Sequence, residues 1–170
     1  MTDNKNPKVA IVMGSDSDWP VMQKCYQMLK KMEIPCEARI SSAHRTPDET
    51  ADFARAARDR GLQVIIAAAG MAAHLAGTIA AHTILPVIGV PMASGYLQGI
   101  DALLSKVQMP PGVPVATVSI GAAGAQNAAL LAAQILALKD KTIAQKLTQF
   151  KADQAQTVKQ KNEKLQTEID

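Results

Sequence analysis

Lys8-Val9-Ala10-Ile11-Val12-Met13-Gly14-Ser15-Asp16-Ser17-Asp18 reads as a short apolar strand that stops in a polar turn. Val21, Met22, Cys25, Met28, Leu29 and Met32 then recur at helical spacing, with Asp18 placed to cap and Pro20 in the first turn, so strand, turn and helix follow one another. A second strand, about Cys36–Ile40, follows the break at Ile34-Pro35. Strand, helix, strand in that order is the unit of a parallel sheet.

The pattern continues outward. Residues Ser42-Ala43-His44-Arg45 form a polar loop, and Thr46-Pro47-Asp48-Glu49 offers a helix cap, a proline at the first helical position and the acid of a capping box. That helix should run to about residues 60–61. Val64–Ala69 is the third strand and opens into the small-residue loop 70–77. Strands four and five are expected at 86–90 and 115–120, with a short helix at Ile100–Val107 between them; Gly121-Ala122-Ala123-Gly124 then reads as a loop, followed by an Ala/Leu-rich helix to Leu138. About five strands are implied. The expected architecture is α/β, with residues 1–138 as one domain and residues 139–170 as a Lys/Gln-rich helical tail that lies on a neighbour.

Composition narrows the function. Aromatic residues make up 3% of the chain, too few for base-stacking platforms, and the net charge of +3 is divided between the two segments without forming a basic stripe. Nucleic acid is not an expected partner. The start, Met1-Thr2-Asp3-Asn4-Lys5-Asn6-Pro7, is polar, and every long apolar stretch is interrupted by Gly, Pro or His; the expectation is a cytoplasmic chain with no signal peptide and no membrane span. Cys25 and Cys36 fit a reduced compartment. Neither cysteine forms a metal-ligand spacing with His44, His74 or His82, so no metal is expected.

Ligands of open parallel sheets bind beyond the carboxyl ends of the strands, which should gather the loops at 14–18, 41–46 and 70–77, and the segment 121–124. Ser15 and Ser17 can donate hydroxyls, and Arg45 can grip a phosphate through two parallel N–H bonds. Asp16 and Asp18 would repel phosphate if both faced it, so Asp18 is assigned to a ribose hydroxyl. His44, beside Arg45, is the proton-transfer candidate. His74 sits among small residues, where bonding to neighbouring backbone and a functional role weigh equally, and His82 is expected on a helix face. Ser94-Gly95-Tyr96 reads as ordinary turn. The turn 14–18 lacks both the dinucleotide glycine spacing and the Gly-Lys-Ser/Thr ending of a P-loop, so neither NAD nor ATP is indicated.

Gly14-Ser15-Asp16-Ser17-Asp18-Trp19, Ser42-Ala43-His44-Arg45-Thr46-Pro47, Ala69-Gly70-Met71-Ala72-Ala73-His74-Leu75 and Val107-Gln108-Met109-Pro110 together resemble the N5-carboxyaminoimidazole ribonucleotide mutases of purine biosynthesis, class I. The resemblance spans about residues 9–138. It implies a flavodoxin-like three-layer α/β/α sandwich, a homo-octamer, no cofactor, and an isomerase that moves a carboxylate from an exocyclic nitrogen to a ring carbon. By the same resemblance Ser15, Asp18 and Arg45 hold the ribose phosphate and His44 transfers the proton. Ser17, Ser42, Ala43, Ala69, Gly70, Met71 and His74 complete the expected substrate pocket. Met71, Ala76 and Ala122 depart from the family's pattern, where Gly, Pro and Lys are common. Two other readings stay open: a direct aminoimidazole ribonucleotide carboxylase using carbon dioxide, and a non-catalytic nucleotide or flavin-phosphate binding module.

Overall fold

The computed structural model describes residues 6–169, so the polar start at 1–5 and Asp170 lie outside the described residues. Five parallel strands, β1 (Val9–Met13), β2 (Cys36–Ile40), β3 (Val64–Ala69), β4 (Val87–Pro91) and β5 (Ala116–Thr117), form one sheet in the order β2-β1-β3-β4-β5. This is the flavodoxin-like order, whose direction reverses between β1 and β3.

Both faces of the sheet are covered, which is why its central strands are apolar throughout rather than alternating with polar residues. Val9, Ile11, Met13, Val64, Ile66, Ala68, Ile88 and Val90 face one layer, formed by α1 (Trp19–Lys31) and α5 (Gly121–Ala137). Ala10, Val12, Ile65, Ala67, Ala69 and Val87 face the other, formed by α2 (Pro47–Ala56), α3 (Leu75–Ala81) and α4 (Ile100–Val107). Alanines at 125, 128, 129, 132 and 133, all buried, let α5 approach closely.

The final helix, α6 (Lys141–Ile169), has two parts. Ile143 is buried in the first core layer, and Leu147 and Phe150 pack against it. Lys146 pairs with Glu33 at 2.7 Å, and Lys31 Nζ lies 5.1 Å from the Phe150 ring centre. From residue 151 to 169 every side chain is exposed, a projection of about 28 Å at helical rise.

Several local expectations are corrected. β5 pairs over only two residues rather than spanning 115–120: Pro114 removes a donor ahead of it, and after Val118 N donates to Gly89 O (3.1 Å) the chain turns into α5. α2 ends at Ala56 instead of 60–61, because the chain continues as a tight turn closed by Gly61 at φ +91°. Thr46 occupies the N-cap position but makes no cap bond; its hydroxyl donates instead to Ser42 O (3.2 Å) and accepts from Ser42 N (3.1 Å). Asp18 does not cap α1 either. A 3₁₀ turn, Asp16–Asp18, precedes that helix and is capped by Ser15, whose hydroxyl accepts from Ser17 N at 3.3 Å. Gly121–Gly124 is the first turn of α5, not a loop. His82 is the C-cap of α3 rather than a residue on its face.

Candidate functional site

Three strand ends supply the site. After β1, the chain turns at Gly14 and closes on itself: Ser15 donates to Asp16 Oδ1 (3.0 Å), and the Ser17 hydroxyl lies 2.9 Å from that of Ser15. After β2, Ser41 N donates to Met13 O (2.8 Å), tying the second loop to the first strand. The Ser41 and Thr50 hydroxyls, both buried, bond at 2.7 Å and fix α2 against that loop. After β3, Gly70 brings the backbone close to the next strand's connection. A Cβ there would come within 2.0 Å of Ser94 Oγ, so a larger residue would displace Ser94.

A cleft of about 470 Å³ lies over these ends. Ser15, Ser17 and Asp18 line it from the first loop, Ser42, Ala43, His44 and Arg45 from the second, and Ala69, Gly70, Met71 and His74 from the third. All eleven residues singled out in the sequence therefore share one cavity. Residues 121–124 do not line it; Ser94, read as ordinary turn, does. A larger cavity of about 610 Å³ at the other end of the sheet, between α6 and the chain near Lys8 and Met32, contains none of these residues.

Arg45 bridges the first two loops. Its Nη2 donates to Gly14 O (3.2 Å) and its Nε to Ser42 Oγ (3.4 Å), so the guanidinium is already aimed across the serine turn. Ser42 Oγ also accepts from Arg45 N at 3.2 Å. An exposed guanidinium next to two hydroxyls and a backbone turn is suited to a phosphate dianion.

His44 bridges to the third loop. Its Nε2 lies 2.8 Å from His74 Nδ1, and the rings meet edge to face with centres 4.9 Å apart. One of these nitrogens must carry the proton and the other a lone pair, so the two rings are joined by a single hydrogen bond. His74 was expected either to hold backbone or to act; its ring engages His44. Met71, beside it, has φ +53°, the left-handed region that favours glycine, and its side chain lies against Gly95.

Beneath the cleft lie two buried charges. Asp18 is 8% exposed, and burial raises its carboxyl above the ordinary range, while a hydrogen bond from the Ser15 backbone and the nearby Lys106 ammonium pull it back. Lys106 is 1% exposed and its Nζ donates to Ala69 O at 2.9 Å. Burial lowers its amine to about 8, against the opposing pull of Asp18 and Asp101. Lys106 escaped the sequence reading because a lysine at helical spacing looks like a solvated face; the signal for it was Gly89, a glycine in mid-strand.

Among the described residues, no group of three or more His, Cys, Asp or Glu side chains is placed to hold a metal ion. No helix among them is long and apolar enough to cross a membrane.

Residues 8–157 match the model of the AIR carboxylase family. The chain is 54% identical to the N5-carboxyaminoimidazole ribonucleotide mutase of Bacillus subtilis over 94% of its length and 98% of that protein's. It is 53% identical to the mutase of the same name from Escherichia coli K12, over 93% and 94%. The crystal structure of Treponema denticola PurE superposes with a TM-score of 0.84 at 33% identity, covering 94% of this chain and 98% of that one.

Proposed function

Since the chain belongs to the AIR carboxylase family and is an N5-carboxyaminoimidazole ribonucleotide mutase, an isomerase of purine biosynthesis, we propose how its cleft performs that reaction. The observation that supports the route is the convergence of the loops after β1, β2 and β3 in one cavity, with His44 between the phosphate-binding and small-residue walls. Ser15, Ser17 and Arg45 take the ribose phosphate, Asp18 accepts from a ribose hydroxyl, and Ser42 and Ala43 hold the loop that presents His44. Ala69, Gly70, Met71 and His74 enclose the carboxyl end.

The carbamate C–N bond breaks, carbon dioxide is released inside the cleft, and the exocyclic nitrogen takes a proton from His44. The ring carbon's electron pair then attacks carbon dioxide, forming the new C–C bond, and His44 recovers a proton from that carbon. Proton count and charge balance, and no redox partner is needed. The small apolar residues of the third loop favour retention of the neutral intermediate, and nearby backbone N–H groups serve its carboxylate form.

The working particle in this reading is a cytoplasmic homo-octamer, in which residues 139–170 form a tail on a catalytic domain of residues 1–138, held to its own core through Ile143, Leu147 and Phe150 and free to reach a neighbour over 151–169. Exposed Val158, Leu165 and Ile169 support the docking of that tail on a neighbouring subunit.

The test is turnover of N5-carboxyaminoimidazole ribonucleotide by the purified protein and its His44→Asn variant. The expected result is conversion by the parent, with the variant still binding ribonucleotide but slowed at least about 100-fold, the scale of general acid–base catalysis. Turnover only with aminoimidazole ribonucleotide and bicarbonate would make the protein a direct carboxylase. Unchanged turnover in the variant would remove His44 from the chemistry.

A further inference from the structure

We propose that Lys106 is a positioning residue for the carboxyl-bearing end of the substrate, acting through the Ala69–Gly70 peptide at the floor of the cleft. The proposal rests on the ribonucleotide reading of that cleft.

The side chain has an unusual course. It starts on α4, crosses the sheet face over Gly89 in the middle of β4, and ends with Nζ 2.9 Å from Ala69 O at the carboxyl end of β3. A Cβ on residue 89 would fall within 2.9 Å of both Lys106 Cδ and Val115 Cγ1, so the strand keeps a glycine where the lysine stem passes. An amine 1% exposed is costly to bury, and a well-packed apolar side chain would fill the same space without that cost. Ala69 O does not require the lysine for satisfaction, since Met92 N already donates to it at 3.1 Å. The ammonium therefore adds charge at a point where backbone pairing alone would have sufficed.

Ala69 C=O and Gly70 N–H are two ends of one conjugated peptide unit. An ammonium on the oxygen draws electron density from the unit and makes its N–H a stronger donor. Gly70 lines the cleft, so the effect is delivered to whatever occupies the third-loop wall. The same charge lies close enough to Asp18 to bias its carboxyl, offsetting an acid that would repel an anionic ligand. A fixed cation behind the floor, shielded from water, raises the potential where carbon dioxide becomes carboxylate.

The arrangement is also pH-sensitive. The titratable groups facing Lys106 are Asp18 from the turn after β1 and Asp101 from the first turn of α4; β3, β4 and β5, which flank its path, carry none. With burial holding the amine near 8, its charge is present at neutral pH and is lost above that value.

Lys106→Met keeps an unbranched apolar stem in the Gly89 groove and removes the charge. Calorimetric affinities at pH 7 would be compared for aminoimidazole ribonucleotide and its C4-carboxylated product, alongside kcat/KM from pH 6.5 to 9.5. The variant is expected to bind the carboxylated ligand at least tenfold more weakly and the uncarboxylated one within threefold of the parent. The parent's alkaline fall in kcat/KM should be absent from the variant. Equal weakening of both ligands, or an identical alkaline fall, would overturn the proposal as a purely structural role would. Should the variant not fold, the parent alone decides: its preference for the carboxylated ligand must drop between pH 7 and 9.5, and a constant preference refutes the role. A parent that binds neither ribonucleotide would instead refute the reading of the cleft itself.

Discussion

His74→Leu isolates the imidazole pair. The 2.8 Å contact between His44 Nε2 and His74 Nδ1 is a neutral hydrogen bond while both rings are uncharged. It becomes charge-assisted as His44 recovers the proton from the ring carbon, the step in which positive charge grows on the pair. Net values are about 0.5–1.5 kcal/mol for the neutral bond and about 1.5–3 kcal/mol for the charged one. Only the part that grows during reaction affects the chemical step, which leaves about 1–1.5 kcal/mol. That corresponds to a fall in kcat of about 5- to 13-fold, at the lower end because both rings are exposed. Because the lost partner is His44 rather than the phosphate, KM should stay within about threefold. Steady-state conversion of N5-carboxyaminoimidazole ribonucleotide measures both constants. A cycle with His44→Asn sharpens the test, since residues acting as one unit are not additive. The double variant should be no slower than His44→Asn alone. An unchanged kcat in His74→Leu, or a further drop in the double variant, would show that the two rings do not act together.

Arg45→Ala should weaken ribonucleotide binding by about 1.5–3 kcal/mol, the scale of a charged hydrogen bond, with little change in melting temperature because its own bonds to Gly14 O and Ser42 Oγ are exposed; calorimetry checks the first and thermal unfolding the second. Arg45→Lys should restore little of the loss if the guanidinium fork matters. Thr50→Val removes the hydroxyl that bonds Ser41 and donates to Thr46 O (2.9 Å), leaving the buried Ser41 hydroxyl unpartnered at a cost of about 1–3 kcal/mol. Denaturant unfolding measures it, and adding Ser41→Ala should recover part of the loss. Light scattering should give a mass eight times that of one chain, and deletion of residues 151–170 should lower that mass without unfolding the protomer, whose core ends at Phe150.

The parallel sheet was legible because its strands carry runs that only a doubly covered sheet uses. Val64–Ala69 is apolar at all six positions and buried at all six. The polar turns could be placed at the carboxyl ends once strand direction was settled, so three separated motifs were assigned to one cleft without any contact being known. Helix boundaries were less legible where side chains had alternatives. Thr46 has the sequence of a cap, yet its hydroxyl closes the Ser42 turn, a competing local bond that spacing does not distinguish. β5 was overextended because β-branched residues continue past Thr117 while the pairing does not, and pairing depends on where β4 ends.

What spacing could not reach were contacts made across strands, and there the glycines held the information. Gly70 has no Cβ because Ser94 fills that position, and Gly89 has none because Lys106 passes over it. Each absence marks a neighbour from a distant part of the chain, and a one-dimensional pattern gives no means of naming that neighbour. Lys106 looked like one more charge on a helix because helical periodicity describes the face a residue occupies, not the length over which a flexible stem can turn back into the core. The two buried charges of the site, Asp18 and Lys106, come from the turn after β1 and the helix after β4, on opposite sides of β3. Their coupling could arise only after the crossover that places β3 beside β1, so the electrostatics of this cleft follow from its topology rather than from any single motif.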